Sequence, residues 1–233
     1  MGRVWLGLSL LMPMLAWAEP TTLPKTDAMI EREKRIMAWQ KRNSWMGEWS
    51  YSAVEFSEEA FQDVYHNRNM PLIRFGSAWY PVENLSSGLY LGMLWEKGTE
   101  VGAVTGKSSS ETTELYALPV QYNLRYRFRF LADQGIVPSV QVGLDWWWFH
   151  EWNRFSDDVD GDKAGWHWGA DVGFLLDPLD PSAAHHMKKY WNVDDTYLVL
   201  GYEALNVGEG EQGLLFSGQA FTLGLRFDTM GEK

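Results

Sequence analysis

Two histidines around an acidic segment have the most potential for acid–base chemistry in this sequence. His150 and His167 flank Glu151, Asp157, Asp158, Asp160 and Asp162. A histidine and a carboxylate within hydrogen-bond reach can serve as general base and general acid, as a hydrolase or an acyltransferase requires. No Gly-x-Ser-x-Gly motif accompanies them, and Ser108 to Ser110 lack a motif that aligns a base. We therefore expect no catalytic site, with His150 and His167 as the candidates if the chain is an enzyme.

The same segment holds candidate metal ligands. Asp158, Asp160 and Asp162 alternate along the chain and offer the oxygen ligands that Ca²⁺ prefers. The segment lacks the glycine position and the distal Glu of an EF-hand loop. His185 and His186 are adjacent, and neighbours on a helix point about 100° apart, so they cannot easily share one ion. We therefore expect neither a metal nor a cofactor, with the three aspartates as the calcium candidate.

A second group of charged residues alternates with apolar residues and therefore projects from one face of its strands. Its members are Arg125, Arg127, Arg129, Asp145, Asp171, Glu203 and Arg226. Opposite charges can neutralise each other when they are buried together, whereas an unpaired buried charge is costly. The group is therefore either a polar conduit, a catalytic cluster or a network of ion pairs.

Strands must position these side chains, because the apolar period is two from Glu48 onward. In the clearest run, Leu118 to Phe130, apolar residues alternate with Pro, Gln, Asn and Arg. Its 13 residues, at about 3.3 Å each and tilted by about 40°, give about 33 Å of height, enough to cross a hydrocarbon core. Similar runs predict eight strands, at about 48–56, 70–80, 87–96, 113–130, 137–150, 164–176, 196–206 and 214–227.

The connections alternate between long polar segments and short turns, which predicts an all-β fold with a single closed antiparallel transmembrane β-barrel. The connection 177–195 contains Asp180 and Pro181, a cap and a first-turn proline that predict a short periplasmic helix near 180–190. Side chains fill the interior of an eight-stranded barrel. We therefore interpret the charged group as a network of ion pairs that plugs the lumen.

The N-terminus has the features of a secretory signal peptide. Arg3 precedes the apolar stretch Val4 to Ala18, which ends in a small-x-small site that predicts cleavage near Ala18. The stretch is shorter than the roughly 20 residues of a transmembrane helix. Residues 19–47 are predicted to be a leader with a short helix, since apolar residues recur there at helical spacing. The expected organisation is a signal peptide at 1–18, the leader, and the barrel at 48–228.

The composition is consistent with this organisation. The chain has 233 residues, 45% of them hydrophobic and 15% aromatic, yet its mean hydropathy is only -0.30. Rings that face lipid and charges that face a lumen produce such an average, and Trp and Tyr near the strand ends predict an aromatic girdle. The absence of Cys excludes a disulfide scaffold. The net charge of -11 argues against nucleic acid as a partner.

The segment from about Tyr116 to Phe227 resembles a family of small, uncharacterised bacterial outer-membrane β-barrel proteins. The resemblance rests on short motifs: Leu118-Pro119-Val120, Tyr126-Arg127-Phe128, Val137-Pro138, Gly143-Leu144-Asp145, Trp166-His167, the run Leu175 to Pro181, Thr196-Tyr197-Leu198 and Gly224-Leu225-x-Phe227. It covers about half of the chain and implies location and fold, and the family offers no catalytic residues to carry over. In this chain Asp228 to Lys233 follow the closing aromatic residue, whereas such barrels usually end there.

These observations predict a protein of the outer membrane of a Gram-negative bacterium with a structural or surface-interaction role. Its expected partners are the lipid bilayer, lipopolysaccharide and the outer-membrane assembly machinery; the sequence identifies no other protein partner. Three alternatives stay open. They are a barrel-embedded hydrolase or acyltransferase acting on lipid A or a peptide, a small pore, and a soluble lipocalin-like ligand binder.

Overall fold

Eight strands form one closed antiparallel barrel, as the sequence predicts. The computed structural model describes residue 30 and residues 43–65, 69–82, 84–101, 108–131, 134–153, 158–208 and 215–230. Each strand pairs with its neighbour in the chain, and β8 closes the barrel against β1. The strands are β1 Asn43–Phe56, β2 Asn69–Val82, β3 Leu85–Val101, β4 Ser108–Arg127, β5 Ile136–Asn153, β6 Val159–Leu175, β7 Val193–Val207 and β8 Gly218–Met230.

The two ends of the barrel differ in their connections. We call one the turn end: the first strand starts there, the last strand finishes there, and short turns join β2 to β3 and β4 to β5. The other, the loop end, carries helix α1 (Glu59–Tyr65) and the connections that follow β3, β5 and β7. Among the described residues, no helix is long and apolar enough to cross a membrane. The predicted signal peptide, and the N-terminal helix apart from Ile30, lie outside the described residues.

Helix α2 (Pro181–Trp191) lies at the turn end between β6 and β7, and confirms the helix predicted near 180–190. The Asp180 side chain accepts hydrogen bonds from the backbone N–H groups of Ser182 at 3.1 Å and Ala183 at 2.9 Å. The helix ends at Trp191, and the next residue, Asn192, adopts a left-handed conformation with φ of 57°. A capping aspartate, a first-turn proline and a left-handed residue after the last turn are all local signals, which explains why the sequence predicts this helix well.

Side chains alternate between an apolar outer face and a buried interior, because successive residues of a strand point to opposite faces. Leu144 and Leu91 on the outer face are more than half exposed, whereas Gln121 and Arg226 on the inner face are buried. Near the loop end every strand carries at least one outward polar residue, and we call the ring formed by eight of these residues, one from each strand, the polar border. It consists of Glu55, Asn69, Lys97, Glu114, His150, Asp162, Asn206 and Gln219.

Several strands extend beyond their predicted limits. The sequence predicts that β3 ends near 96 and that β4 begins near 113, whereas their pairing continues to Val101 and Ser108. Apolar alternation marks only the part of a strand with one apolar face, so polar extensions beyond the border escape the pattern. Likewise, β1 begins at Asn43, before the predicted 48, and β8 continues to Met230.

The loop-end half of the interior is filled by an apolar cluster that the sequence does not predict. The Phe56 ring stacks on Phe61 of α1 with centroids 4.5 Å apart, and Trp147 stacks on Phe216 at 5.0 Å. The cluster comprises Val54, Phe56, Phe61, Tyr65, Met70, Leu72, Leu94, Leu115, Ala117, Trp147, Phe149, Leu205, Val207, Phe216 and Ala220. It joins seven strands, α1 and the β7–β8 connection, so no local pattern reveals it.

Replacing Phe216 tests the contribution of this cluster. We expect Phe216→Ala to lower the free energy of unfolding by about 3 to 5 kcal/mol, because a buried ring is removed and a cavity remains. Phe221→Ala is the matched control, since Phe221 is on the outer face. Urea unfolding of the reconstituted barrel measures both. Equal effects of the two substitutions would contradict a packed cluster at the loop end.

Candidate functional site

Charged side chains from seven strands meet in the interior, toward the turn end of the apolar cluster. Arg125 and Arg127 project inward from β4, and Arg129 follows with the same alternation in the segment after it. All seven residues of the predicted charged group are buried there. The alternating strand geometry explains this shared placement, since residues separated by an even number share one face.

The centre of the site is a four-residue network in which Glu48 bridges two arginines. The Glu48 carboxylate accepts hydrogen bonds from Arg125 Nη1 at 2.7 Å and from Arg226 Nε at 2.8 Å. Asp171 completes the network, since its Oδ1 is 3.0 Å from Arg226 Nη2 and its Oδ2 is 3.3 Å from Arg125 Nε. The network therefore connects β1, β4, β6 and β8 across the lumen.

Two further ion pairs lie closer to the turn end. Arg127 Nη1 donates to Asp228 Oδ2 at 2.7 Å and also to the hydroxyl of Tyr80. Arg129 Nη1 donates to Asp195 Oδ2 at 2.9 Å and to the Tyr197 hydroxyl at 2.7 Å. Both guanidinium groups also lie within 6 Å of the Tyr197 ring centroid, at 5.1 and 5.9 Å. These contacts give each buried guanidinium a carboxylate and an aromatic partner.

Arg74 forms a third group, next to the apolar cluster. Its Nη1 is 2.5 Å from Glu203 Oε2 and 2.9 Å from Gln121 Oε1. Its Nη2 donates to the hydroxyl oxygens of Ser52 at 2.9 Å and Thr222 at 3.1 Å. A buried guanidinium with four polar partners is well solvated by the protein, which offsets much of its desolvation cost.

His167 and Asp145 form a buried pair beside this group. His167 Nδ1 is 2.6 Å from Asp145 Oδ2, and Gln121 Nε2 donates to Asp145 Oδ1 at 2.6 Å. The ring lies against Gly143 of the neighbouring strand, where a Cβ would be 2.4 Å from His167 Cε1. Gly143 is therefore required for this close approach.

The two catalytic candidates do not come together. His167 points into the barrel and is fully buried, whereas His150 points outward and is 49% exposed, with Nε2 4.0 Å from Asp158 Oδ2. The wall of the barrel separates them, because the pairing register places them on opposite faces of the sheet. The acid–base pair considered from the sequence is therefore not formed in this structure.

The three calcium candidates also do not converge. Asp160 and Asp162 are exposed and lie on the same face of β6, where alternate residues are about 6.6 Å apart, and Asp158 precedes this strand. Asp162 Oδ2 accepts a hydrogen bond from Trp146 Nε1 at 3.0 Å. Within the described parts of the chain, no group of three or more His, Asp or Glu side chains is arranged to hold a metal ion.

Four residues of the arginine–carboxylate pairs described above are missing from the charged group predicted from the sequence: Glu48, Arg74, Asp195 and Asp228. Glu48 and Arg74 are in the two strands with the weakest apolar alternation. Asp228 follows the closing aromatic residue, one position beyond the predicted end of the last strand at 227. Asp228 is two residues beyond the inward-facing Arg226 and therefore shares its face. This parity is the signal in the sequence that identifies Asp228 as a lumen residue.

Comparison with solved structures shows that this barrel has the fold of small outer-membrane proteins. The outer membrane protein OprG of Pseudomonas aeruginosa matches with a TM-score of 0.57 and 8% identity, over 82% of this chain and 98% of that chain. The N-terminal barrel domain of OprF from the same organism matches with a TM-score of 0.45 and 12% identity, over 80% and 98%. The attachment invasion locus protein Ail of Yersinia pestis matches with a TM-score of 0.41 and 11% identity, over 82% and 99%.

No model of a known protein family matches this sequence, and no curated protein sequence matches it. The likeness to OprG therefore defines the fold, a closed eight-stranded antiparallel barrel of the outer-membrane type.

Glu48 accepts hydrogen bonds from both arginines of the central network, so its replacement tests the network. We expect Glu48→Gln to lower the free energy of unfolding by about 3 to 5 kcal/mol, because it leaves two buried arginines with one carboxylate between them. Lys97→Ala is the control, since Lys97 pairs with Glu114 on the exposed surface and its loss is expected to leave the unfolding midpoint unchanged. Urea unfolding of the barrel in lipid measures the free energy of unfolding of both variants. Equal values for the two variants would refute the network.

Proposed function

We propose that this chain is an integral outer-membrane β-barrel of a Gram-negative bacterium, with a closed lumen and a structural or surface-interaction role. The observation that carries the proposal is the reversed distribution of its side chains, apolar outside and charged inside. A bilayer stabilises an apolar outer face, and a closed sheet leaves no strand edge without hydrogen bonds. Membership in a family of small uncharacterised outer-membrane barrels is part of this proposal.

The outer face supports a defined position in the membrane. Trp45 and Trp79 pair near the turn end. Between these two rings and the polar border, the outer face is mostly apolar. Tyr116 and Trp148 are outward rings just below this border. Aromatic rings at both limits are typical of the girdles that lie at the two membrane–water interfaces. The long connections lie at the loop end and the short turns at the turn end, so in the proposed orientation the loop end faces the medium and the turn end faces the periplasm.

Two successive layers support a closed lumen. The ion-pair network fills the half nearer the turn end, and the apolar cluster, covered by Phe61 of α1 and by Phe216, fills the half nearer the loop end. An eight-stranded barrel has an interior only wide enough for side chains, so both layers displace water. The lumen then serves to hold the wall together rather than to conduct.

The same observations weigh against the three alternatives. A lipocalin-like binder in water needs a polar outer face, which this barrel has only beyond the polar border. A pore needs a continuous aqueous path, and packed rings occupy the loop-end half. A hydrolase or acyltransferase with His150 and His167 needs both at one site, whereas the wall separates them. The bilayer, lipopolysaccharide around the loop-end half and the outer-membrane assembly machinery are the partners that the proposal implies.

Cysteine labelling tests location and orientation together, because the chain has no Cys. Ser57 follows β1 at the loop end and Ser182 lies in α2, and both are exposed. We expect a membrane-impermeant maleimide to label Ser57→Cys on intact cells, and Ser182→Cys only after the outer membrane is permeabilised. Recovery of both variants in the soluble periplasmic fraction would contradict the membrane location, and the inverse labelling would contradict the orientation.

Conductance tests the closed lumen. We expect the barrel in planar bilayers to give no stepwise current, because the apolar cluster and the ion pairs leave no aqueous path. Insertion is checked independently by the shift in gel mobility between heated and unheated samples, which folded outer-membrane barrels are expected to show. Stable unitary current steps from inserted wild-type protein would refute the closed lumen.

A further inference from the structure

The outer wall contains an apolar groove near the turn end. Its volume is about 410 Å³, and its lining is almost entirely apolar. Ala170 of β6 lies at its centre, between its pairing partners Val140 of β5 and Tyr202 of β7. The small alanine side chain between two larger ones creates the depression, which Phe128 and Leu200 extend.

The C-terminal end of α2 presents aromatic and basic side chains without covering them. No residue of α2 is buried, and Tyr190 and Trp191 are 61% and 73% exposed. The ammonium of Lys189 lies 5.1 Å from the centroid of the Tyr190 ring. Tyr, Trp and Lys together are typical of protein surfaces at the level of lipid headgroups.

The neighbouring carboxylates are engaged by the protein, which leaves Lys189 as the available cation. Lys188 pairs with Asp194, and Arg129 pairs with Asp195. Asp177 accepts a hydrogen bond from the Thr196 backbone at 3.0 Å, and burial raises the pKa of this carboxyl above its usual value. Asp180 caps α2. Among the described residues, Lys189 has no carboxylate partner.

Helix α2 connects β6 and β7, and both of these strands line the groove. The distance between the groove and the end of α2 matches the distance between the headgroup and the acyl chains of a lipid. Leu200 is seven residues beyond Val193, where β7 begins directly after α2. At about 3.3 Å per residue and a tilt of about 40°, this is about 18 Å of height. Half of the hydrocarbon core of a bilayer is about 15 Å thick. A lipid with its headgroup at α2 can therefore reach the groove with its acyl chains.

We propose that this surface binds one glycerophospholipid of the periplasmic leaflet, with an acyl chain in the groove around Ala170 and the phosphate at Lys189. The inference rests on the proposed membrane location. The groove supplies apolar contact that any acyl chain can use. The cation at Lys189 and the exposed rings beside it select a lipid with a phosphate over a neutral one.

Native mass spectrometry of the delipidated full chain in detergent tests the site. Phosphatidylglycerol, phosphatidylethanolamine and diacylglycerol are titrated separately. We expect one molecule of either phospholipid to bind and at least tenfold weaker binding of diacylglycerol, which lacks the phosphate. Ala170→Leu, which fills the groove, and Lys189→Glu should each weaken phospholipid binding at least tenfold.

Two variants are matched controls. Ala164→Leu changes an outward alanine of the same strand outside the groove, and Lys97→Glu makes the same charge change near the opposite end. Both should bind as the wild type does. Loss with Ala170→Leu alone, or diacylglycerol bound as tightly as phosphatidylglycerol, would overturn the phosphate contact and with it the proposal. Wild-type protein that inserts into bilayers but retains no phospholipid overturns this inference only, whereas failure to insert overturns the proposed function.

Discussion

The pairing of β1 with β8 closes the sheet into a barrel, and the packed interior exists only because of this closure. It removes both edges of the sheet, so every strand has two hydrogen-bonded neighbours. Closure also encloses the inward face of all eight strands, which forces any charged residue there to find partners within a narrow space. Glu48 shows the consequence: it reaches Arg226 on the adjacent closing strand and Arg125 on the opposite wall. The charged network therefore links the closing strands β1 and β8 to the opposite wall of the barrel.

The interior combines two kinds of stabilisation in separate layers. The arginines toward the turn end lose their hydration when they are buried. Their carboxylate partners, the hydroxyl groups of Tyr and the amide groups of Gln compensate most of that desolvation cost. The apolar cluster toward the loop end gains from removing large rings from water. Because α1 and Phe216 reach this cluster from the connections, the wall and the loop end are packed as one unit. Such packing is what the proposed structural or surface-interaction role requires.

The outer surface, like the interior, is divided into distinct regions. The polar border limits the apolar band near the loop end, and α2 extends from the wall at the turn end with exposed rings and Lys189. A helix of this kind would be unusual as a simple connection between two strands, for which a tight turn suffices. Its position beside the apolar groove offers a physical reason for its presence, namely contact with the headgroup layer of the proposed membrane.

The sequence alone predicts the class of fold, the strand count and the inward parity of the charged residues, because period two and strand length are local properties. It also predicts α2, through Asp180 and Pro181. Which charges meet depends on the closed sheet: Arg127 pairs with Asp228, and Arg74 with Glu203, from strands far apart in the chain. The separation of His150 from His167 and the assembly of the apolar cluster were likewise decided by register and closure. These depend on the whole sheet, since a shift of one residue in register would move every side chain of a strand to the other face.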